Sequence, residues 1–157
     1  QLATYTANQF KNVSVEILDL NDYEMPIFSI DKEKENGIPQ LAHDFYAKLG
    51  SADLILISFA EHNGAYSTAF KNIFDWASRI NGKTFQEKPM LLLATSPGAR
   101  GGSSVLEIAK NRFPFQGGIV KGSFSLPSFN DNFDSEKGIT NDELKKQLLE
   151  IVNSVEF

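Results

Sequence analysis

The sequence has 157 residues and no cysteine, which predicts one globular domain and excludes disulfides, iron–sulfur clusters, thiolate zinc sites and cysteine nucleophiles. Fifteen basic and 20 acidic residues leave a net charge of −5, which argues against nucleic-acid partners. No apolar run approaches the roughly 20 residues of a transmembrane helix, so we expect no membrane partner. Two histidines, His43 and His62, are too few for a histidine-rich metal site, and we expect no metal.

The first third of the chain contains two helix patterns and one strand pattern. Residues 1–11 have apolar spacing typical of a helix, and 13–20 alternate β-branched and polar residues, which predicts a strand. Residues 21–36 contain a proline and end in a run of alternating charges at 31–35, and this run indicates a solvated loop. A helix is predicted over 39–49, with Gly50 as the glycine that follows its end.

The remainder alternates regularly between strands and helices. Residues 53–59 and 89–94 are nearly continuous apolar runs, as in strands that are buried on both faces of a parallel sheet. The other predicted elements are a helix over 66–80, a helix opened by a Ser104/Glu107 capping box and ending near Arg112, a strand over 119–126, and a final helix opened by a Thr140/Glu143 capping box. This order predicts one α/β domain over residues 1–157 with a parallel sheet.

Two loops follow the two most buried predicted strands. Residues 60–66 and 95–103 are rich in small residues and lie just before helices. Ligands of open parallel sheets bind at the carboxyl ends of the strands, where helix N-termini favour anions and electron-rich groups. Since Asn-Gly and Gly-Gly pairs are also common in plain turns, the loops alone name no ligand.

A combination of short motifs around the first loop is more specific. Between Asp53 and Ala77 the sequence carries Glu61, Asn63-Gly64, Lys71-Asn72 and Asp75-Trp76. This combination resembles the signature of the NADPH-dependent FMN reductase family, which includes flavin, quinone, azo-dye and chromate reductases. Ala60 and His62 stand where the family usually has proline and tyrosine.

The resemblance implies a flavodoxin-like three-layer α/β/α sandwich that binds FMN. It implies cofactor-binding residues in both loops, namely Ala60, Glu61, His62, Asn63, Gly64, Thr95, Ser96, Pro97, Gly98, Gly101 and Gly102. Arg100 and His62 are candidates for contact with the nicotinamide or the substrate. No catalytic side chain is expected, because the flavin takes hydride from NADPH or NADH and passes electrons to a quinone, flavin, azo compound or metal oxyanion.

Further expectations concern the surroundings of the site. Members of the family begin with a strand and a phosphate-binding loop, so we expect both upstream of residues 1–11. A homodimer or homotetramer in the cytoplasm is expected, and the thirteen phenylalanines agree loosely with an oligomer. Lys71 and Asp75 are predicted to form a solvated or interface charge pair beside a packed Trp76, and His43 is predicted to have no role.

Two alternatives to a reductase remain open at this point. A flavodoxin-like electron carrier would bind flavin without reacting with reduced nicotinamide, although such carriers tend to be more acidic than this chain. A cofactor-free module of the same fold would act only by binding a partner.

Overall fold

In a computed structural model that covers residues 1–157, four strands form one sheet. They are β1 (Ile55–His62), β2 (Ala65–Tyr66), β3 (Lys88–Thr95) and β4 (Gly118–Leu126), in the spatial order β2–β1–β3–β4. The long strands β1, β3 and β4 are parallel, as predicted, and only the two-residue β2 is antiparallel to its neighbour. A separate small hairpin pairs β5 (Phe133–Asp134) with β6 (Gly138–Ile139).

Seven helices accompany the sheet. They are α1 (Leu2–Ala7), α2 (Ile30–Asn36), α3 (Gln40–Ser51), α4 (Thr68–Ile80), α5 (Ser103–Arg112), α6 (Phe129–Asn132) and α7 (Asp142–Ser154). Two short 3₁₀ helices cover Leu20–Tyr23 and Phe113–Gln116. None of these helices is both long enough and apolar enough to cross a bilayer.

The central strand β3 divides the core into two layers. Met90, Leu92 and Ala94 pack with residues of α3, α4 and α5, whereas Leu91 and Leu93 pack with residues of α1 and α7. All five side chains are fully buried, and a buried leucine contributes about 1.5–3 kcal/mol to folding. Successive side chains of β3 thus point to opposite faces of the sheet, and each face is covered by helices. The predicted three-layer α/β/α architecture is confirmed.

Aromatic side chains fill much of the layer that contains α4 and α5. The Phe113 ring is fully buried and lies 4.3 Å from the Phe85 ring and 5.5 Å from the Phe74 ring, centroid to centroid. Phe59 and Phe70 complete this cluster. Most of the phenylalanines are accounted for by the core, so their number does not by itself indicate an oligomer.

The prediction of a strand over 13–20 is wrong. This segment pairs with no other strand, and Val13, Val15 and Ile17 are 39%, 46% and 58% exposed. The β-branched alternation is present, but a strand needs a neighbour to which its backbone can bond. The only strand that pairs with the outer edge of β1 is β2, and it does so only at Glu61 and His62.

The prediction of a loop over the charged run at 31–35 is also wrong, because α2 covers it. Ser29 caps this helix by accepting a hydrogen bond from the Lys32 N–H at 3.2 Å. Asp31 and Glu33 lie in the first turn and Lys34 in the last, so the alternating charges match the helix dipole.

Several predicted helix ends differ from the structure. The helix predicted over 1–11 is shorter (Leu2–Ala7), and α3 continues through Gly50 to Ser51. Neither capping box forms, because α5 begins after Gly102 without a side-chain cap and α7 is capped by Asn141, which accepts from the Leu144 N–H. Both sequence patterns are present, but the N-cap lies two residues before Ser104 in α5 and one residue after Thr140 in α7.

Candidate functional site

The carboxyl ends of the three parallel strands meet at one edge of the sheet. Ala60 at the end of β1 lies opposite Thr95 of β3, which in turn lies opposite Leu126 of β4. The Thr95 hydroxyl donates a hydrogen bond to the Leu126 carbonyl at 2.7 Å. The two predicted ligand loops therefore leave the sheet side by side.

The turn after β1 is tight and exposed. Asn63 and Gly64 both have positive φ, 53° and 78°, and connect β1 to β2. Ala60, His62 and Asn63 are exposed, and Glu61 is half-buried. Because asparagine and glycine adopt this conformation at low cost, the Asn-Gly dipeptide explains the turn.

The loop after β3 is held against the chain that follows β4. The Ser128 N–H donates to the Gly98 carbonyl and the Phe129 N–H to the Ser96 carbonyl, both at 3.0 Å. The Ser125 hydroxyl donates to the Gly101 carbonyl at 2.9 Å. Three contacts from one neighbouring segment thus fix the course of this loop.

Backbone N–H groups in both loops make no hydrogen bond within the protein. In the loop after β3 they belong to Ser96, Gly98, Ala99, Arg100 and Gly102. After β1 they belong to Asn63 and Gly64 of the turn and to Ser67, just before α4. This edge of the sheet therefore offers backbone hydrogen-bond donors to a ligand. No group of three or more His, Asp or Glu side chains is arranged to hold a metal. The donor set suits a ligand that presents oxygen or nitrogen acceptors along a flat edge.

One side chain connects the two loops. The Glu61 carboxylate accepts a hydrogen bond from the Val105 N–H, in the first turn of α5, with an Oε2–N distance of 3.0 Å. The side chains at the rim make no comparable contact: His62, Pro97, Ala99 and Arg100 are all exposed.

Tyr66 was not singled out from the sequence, although it lies at the site. Its hydroxyl is buried and has no hydrogen-bond partner, while its ring packs 5.0 Å from that of Phe70. Burial raises the pKa of the Tyr66 phenol to about 12, against a smaller opposing effect of the Arg112 charge. An apolar pattern places such a tyrosine in the core, and only the structure reveals its unpaired hydroxyl.

The Lys-Asn and Asp-Trp motifs of α4 have a structural explanation. Lys71 and Asp75 form a surface ion pair at 2.7 Å beside a buried Trp76, as predicted. The Asn72 side chain accepts from the Phe28 N–H at 2.9 Å, and the Trp76 indole donates to the Pro26 carbonyl at 2.7 Å. These contacts fix the segment before α2 against α4. The predicted bystander His43 is an exposed residue of α3.

Comparison with known proteins identifies the family. The model of the NADPH-dependent FMN reductase family matches residues 1–131. The chain belongs to this family. An NADPH:quinone oxidoreductase of Arabidopsis thaliana is 27% identical over 154 residues, which cover 96% of this chain and 77% of that protein. A protein of Mycoplasma pneumoniae whose name assigns no function is 30% identical over 135 residues, covering 83% and 81%.

A solved structure supports the fold. The NAD(P)H:acceptor flavoenzyme FerB from Paracoccus denitrificans superimposes with a TM-score of 0.73 at 21% identity, covering 94% of this chain and 81% of that one. The flavodoxin-like fold predicted from the motifs is confirmed. Family membership likewise confirms the prediction of an FMN-dependent NAD(P)H oxidoreductase, with FMN as cofactor and reduced nicotinamide as co-substrate. It favours this function over the two alternatives, an electron carrier and a cofactor-free module.

The residues present fit an FMN ring. Its pyrimidine edge carries carbonyl and nitrogen acceptors, and the edge of the sheet presents unpaired N–H donors from two loops. The glycines let backbone approach closely, and no acidic side chain other than the already bonded Glu61 lies in the two loops. Which of these residues bind the cofactor stays a prediction.

Proposed function

We propose that the chain binds FMN between the turn at residues 60–64 and the loop at residues 95–102, and uses reduced nicotinamide to reduce a quinone. The observation that carries the proposal is the set of unpaired N–H donors where these two loops leave neighbouring strands. Quinone as the acceptor is supported by the names of relatives, including a quinone reductase of Escherichia coli that is 26% identical over 109 residues.

The chain itself supplies orientation and electrostatics. N–H groups of Ser96, Gly98 and Ala99 would donate to one part of the ring edge, and those of Asn63 and Gly64 to another. Donors fixed in advance stabilise negative charge without reorganising, which favours the reduced form of a bound flavin. When bound, FMN supplies the exchange of hydride and electrons.

The exposed rim would receive the two substrates in turn. Arg100 carries a fixed positive charge at the mouth of the second loop, which suits the phosphates of a nicotinamide nucleotide. His62 projects from the end of β1, where an imidazole ring can stack beside a flat acceptor. Both side chains are exposed and unpaired, so they are free to adjust to different ligands.

A titration with FMN, followed by anaerobic NADPH, tests the proposal. We expect the flavin absorbance near 450 nm to shift on binding, to bleach with NADPH, and to return when a quinone such as benzoquinone is added. Bound flavin that NADPH does not bleach would support an electron carrier instead. Failure to bind FMN would overturn the proposed site, and bleaching that quinone does not reverse would overturn the acceptor.

We also propose that the protein forms a homodimer, or a tetramer of two dimers, through the outer face of α4. Ile27 and Ile30 are 68% and 57% exposed and lie on the segment that Asn72 and Trp76 hold in place. A shallow cleft of about 210 Å³ is lined by Ile27, Phe28, Tyr66 and polar residues of α4. Exposed isoleucines beside such a cleft favour association.

Light scattering on the purified protein tests this assembly. The wild type is expected to be dimeric or larger, and Ile27→Ser to shift it toward the monomer. Ile119→Ser is the matched control, because Ile119 is 43% exposed but lies on β4. A monomeric wild type, or equal effects of both variants, would contradict the proposal. Location in the cytoplasm belongs to the same proposal, since reduced nicotinamide is supplied there.

A further inference from the structure

The first turn of α5 lacks the usual means of capping. Its N-cap is Gly102, which has no side chain and lies in the left-handed region with φ 75°. The side chains of Ser103 and Ser104 make no capping hydrogen bond either. Without help from elsewhere, the buried Val105 N–H in this turn would lack an acceptor.

Glu61 supplies the missing acceptor from another strand. Its Oε2 lies 3.0 Å from the Val105 nitrogen, and Val105 itself is fully buried. Backbone carbonyls of Arg100 and Gly102 accept from Ser103 and Leu106, which leaves Ser104 alone in this turn without an acceptor. A carboxylate at a helix N-terminus is also favoured by the helix dipole.

This contact connects the two halves of the proposed site. Glu61 lies two residues before Asn63 of the Asn63-Gly64 turn, whereas Val105 lies in the first turn of α5, three residues after the loop at residues 95–102. That loop is otherwise held from the other side, by Ser125, Ser128 and Phe129. Among side-chain hydrogen bonds, the Glu61 carboxylate alone links the first loop to the start of α5.

We propose that Glu61 is a positioning residue that sets the distance between the two donor loops and thereby the fit of the flavin ring. It acts through the Val105 N–H and not by contact with the substrate. This inference rests on the proposed FMN site. For this role the side chain at position 61 must place an oxygen acceptor within hydrogen-bond distance of the Val105 N–H. It does not need to act as an acid or a base.

Three substitutions separate reach from charge. Glu61→Gln keeps an oxygen acceptor at the same reach without the charge, Glu61→Asp keeps the charge but is one methylene shorter, and Glu61→Ala removes both. Glu107→Ala is the matched control, since Glu107 is an exposed glutamate of α5 that pairs only with Lys110. FMN affinity, the visible circular dichroism of bound flavin at saturation, and amide hydrogen exchange at Val105 without FMN are measured for each.

We expect Glu61→Ala and Glu61→Asp to weaken FMN binding by about five- to tenfold, to change the flavin dichroism, and to speed exchange at Val105. For Glu61→Gln, the FMN affinity, the flavin dichroism and the exchange rate at Val105 should all stay close to the wild-type values. Glu107→Ala should change none of these three quantities. Val105 exchange is read without FMN, so it reports the cap even if the wild type binds no flavin and the proposed site fails.

Other outcomes would overturn the inference. Faster Val105 exchange with unchanged FMN affinity and dichroism would mean that the cap serves stability alone. Equal loss in Glu61→Gln and Glu61→Ala would mean that charge, not reach, matters. If Glu61→Ala does not fold, the comparison of Glu61→Asp with Glu61→Gln decides between the same outcomes.

Discussion

The turn after β1 is open to solvent, whereas the loop after β3 is packed against β4. A Cβ atom added to Gly64 would meet nothing within 4 Å, but one added to Gly101 would lie 2.5 Å from the Ser125 Oγ and 2.8 Å from the Leu126 carbonyl carbon. Both glycines have positive φ. The sequence alone does not show that their surroundings differ. Gly64 is needed only for its backbone angle. Gly101 is needed for its backbone angle and also because no side chain fits between it and β4.

The largest difference is expected between valine substitutions at these glycines. Gly101→Val cannot be accommodated without moving β4, because the Leu126 carbonyl carbon and oxygen, both backbone atoms, would lie 2.8 Å from the new Cβ. We expect a loss of about 3 kcal/mol or more in the free energy of unfolding. We therefore do not expect Gly101→Val to leave the fold intact. Urea denaturation measures the effect. Gly98→Ala is the control, with only the Ser96 Oγ at 3.8 Å, and an equally large loss there would contradict this explanation.

Gly64→Val should have a smaller effect of a different kind. The strain of a β-branched residue at φ 78° costs about 1–2 kcal/mol while the fold is kept. FMN binding should be lost or strongly weakened, because the turn must distort. Gly64→Asn is the matched control, since asparagine tolerates this angle and should restore most stability. Denaturation and FMN titration of both variants check this, and unimpaired FMN binding by Gly64→Val would exclude this turn from the site.

Ser125→Ala tests the packed loop without introducing bulk. The variant removes the hydrogen bond to the Gly101 carbonyl, at an expected cost of about 1 kcal/mol. Hydrogen exchange of the Gly101 amide, which donates to the Gly98 carbonyl at 3.1 Å, should become faster, while exchange at Ala65, which pairs with His62 across the turn after β1, should not change. Ser123→Ala, on the same strand, serves as the control. Faster exchange at both positions would mean that the Ser125 hydrogen bond also stabilises the turn after β1, contrary to the difference between the open turn and the packed loop.

The smallest effect is expected at Tyr66. Tyr66→Phe removes a buried hydroxyl that has no partner, so the stability at pH 7 should be unchanged or higher by about 1 kcal/mol. Because the folded protein raises the pKa of this phenol from 10.0 to about 12, the wild type should lose stability as the pH rises through that interval. Tyr66→Phe should lose less. Denaturation between pH 9 and 12 checks this, with Tyr46→Phe as a control, and identical pH profiles would contradict it.

The sequence predicted the parallel sheet and the family better than the outer segments, the helix ends and the contacts between the loops. Continuous apolar runs marked β1 and β3 because burial on both faces leaves no polar side, and the Glu61, Asn63-Gly64 and Asp75-Trp76 combination marked the family. The strand predicted over 13–20 failed because pairing depends on a neighbour, which local alternation does not reveal. The cap of α5 was missed for the same reason, since Glu61 and Val105 are 44 residues apart.

The proposed position of FMN between the two loops is tested most directly by amide NMR during the FMN titration. We predict that the resonances of Asn63 and Gly64 and those of Ser96, Gly98 and Ala99 shift together, with one dissociation constant, and that their N–H groups become protected from exchange. Shifts confined to one loop, or located away from this edge of the sheet, would contradict the site.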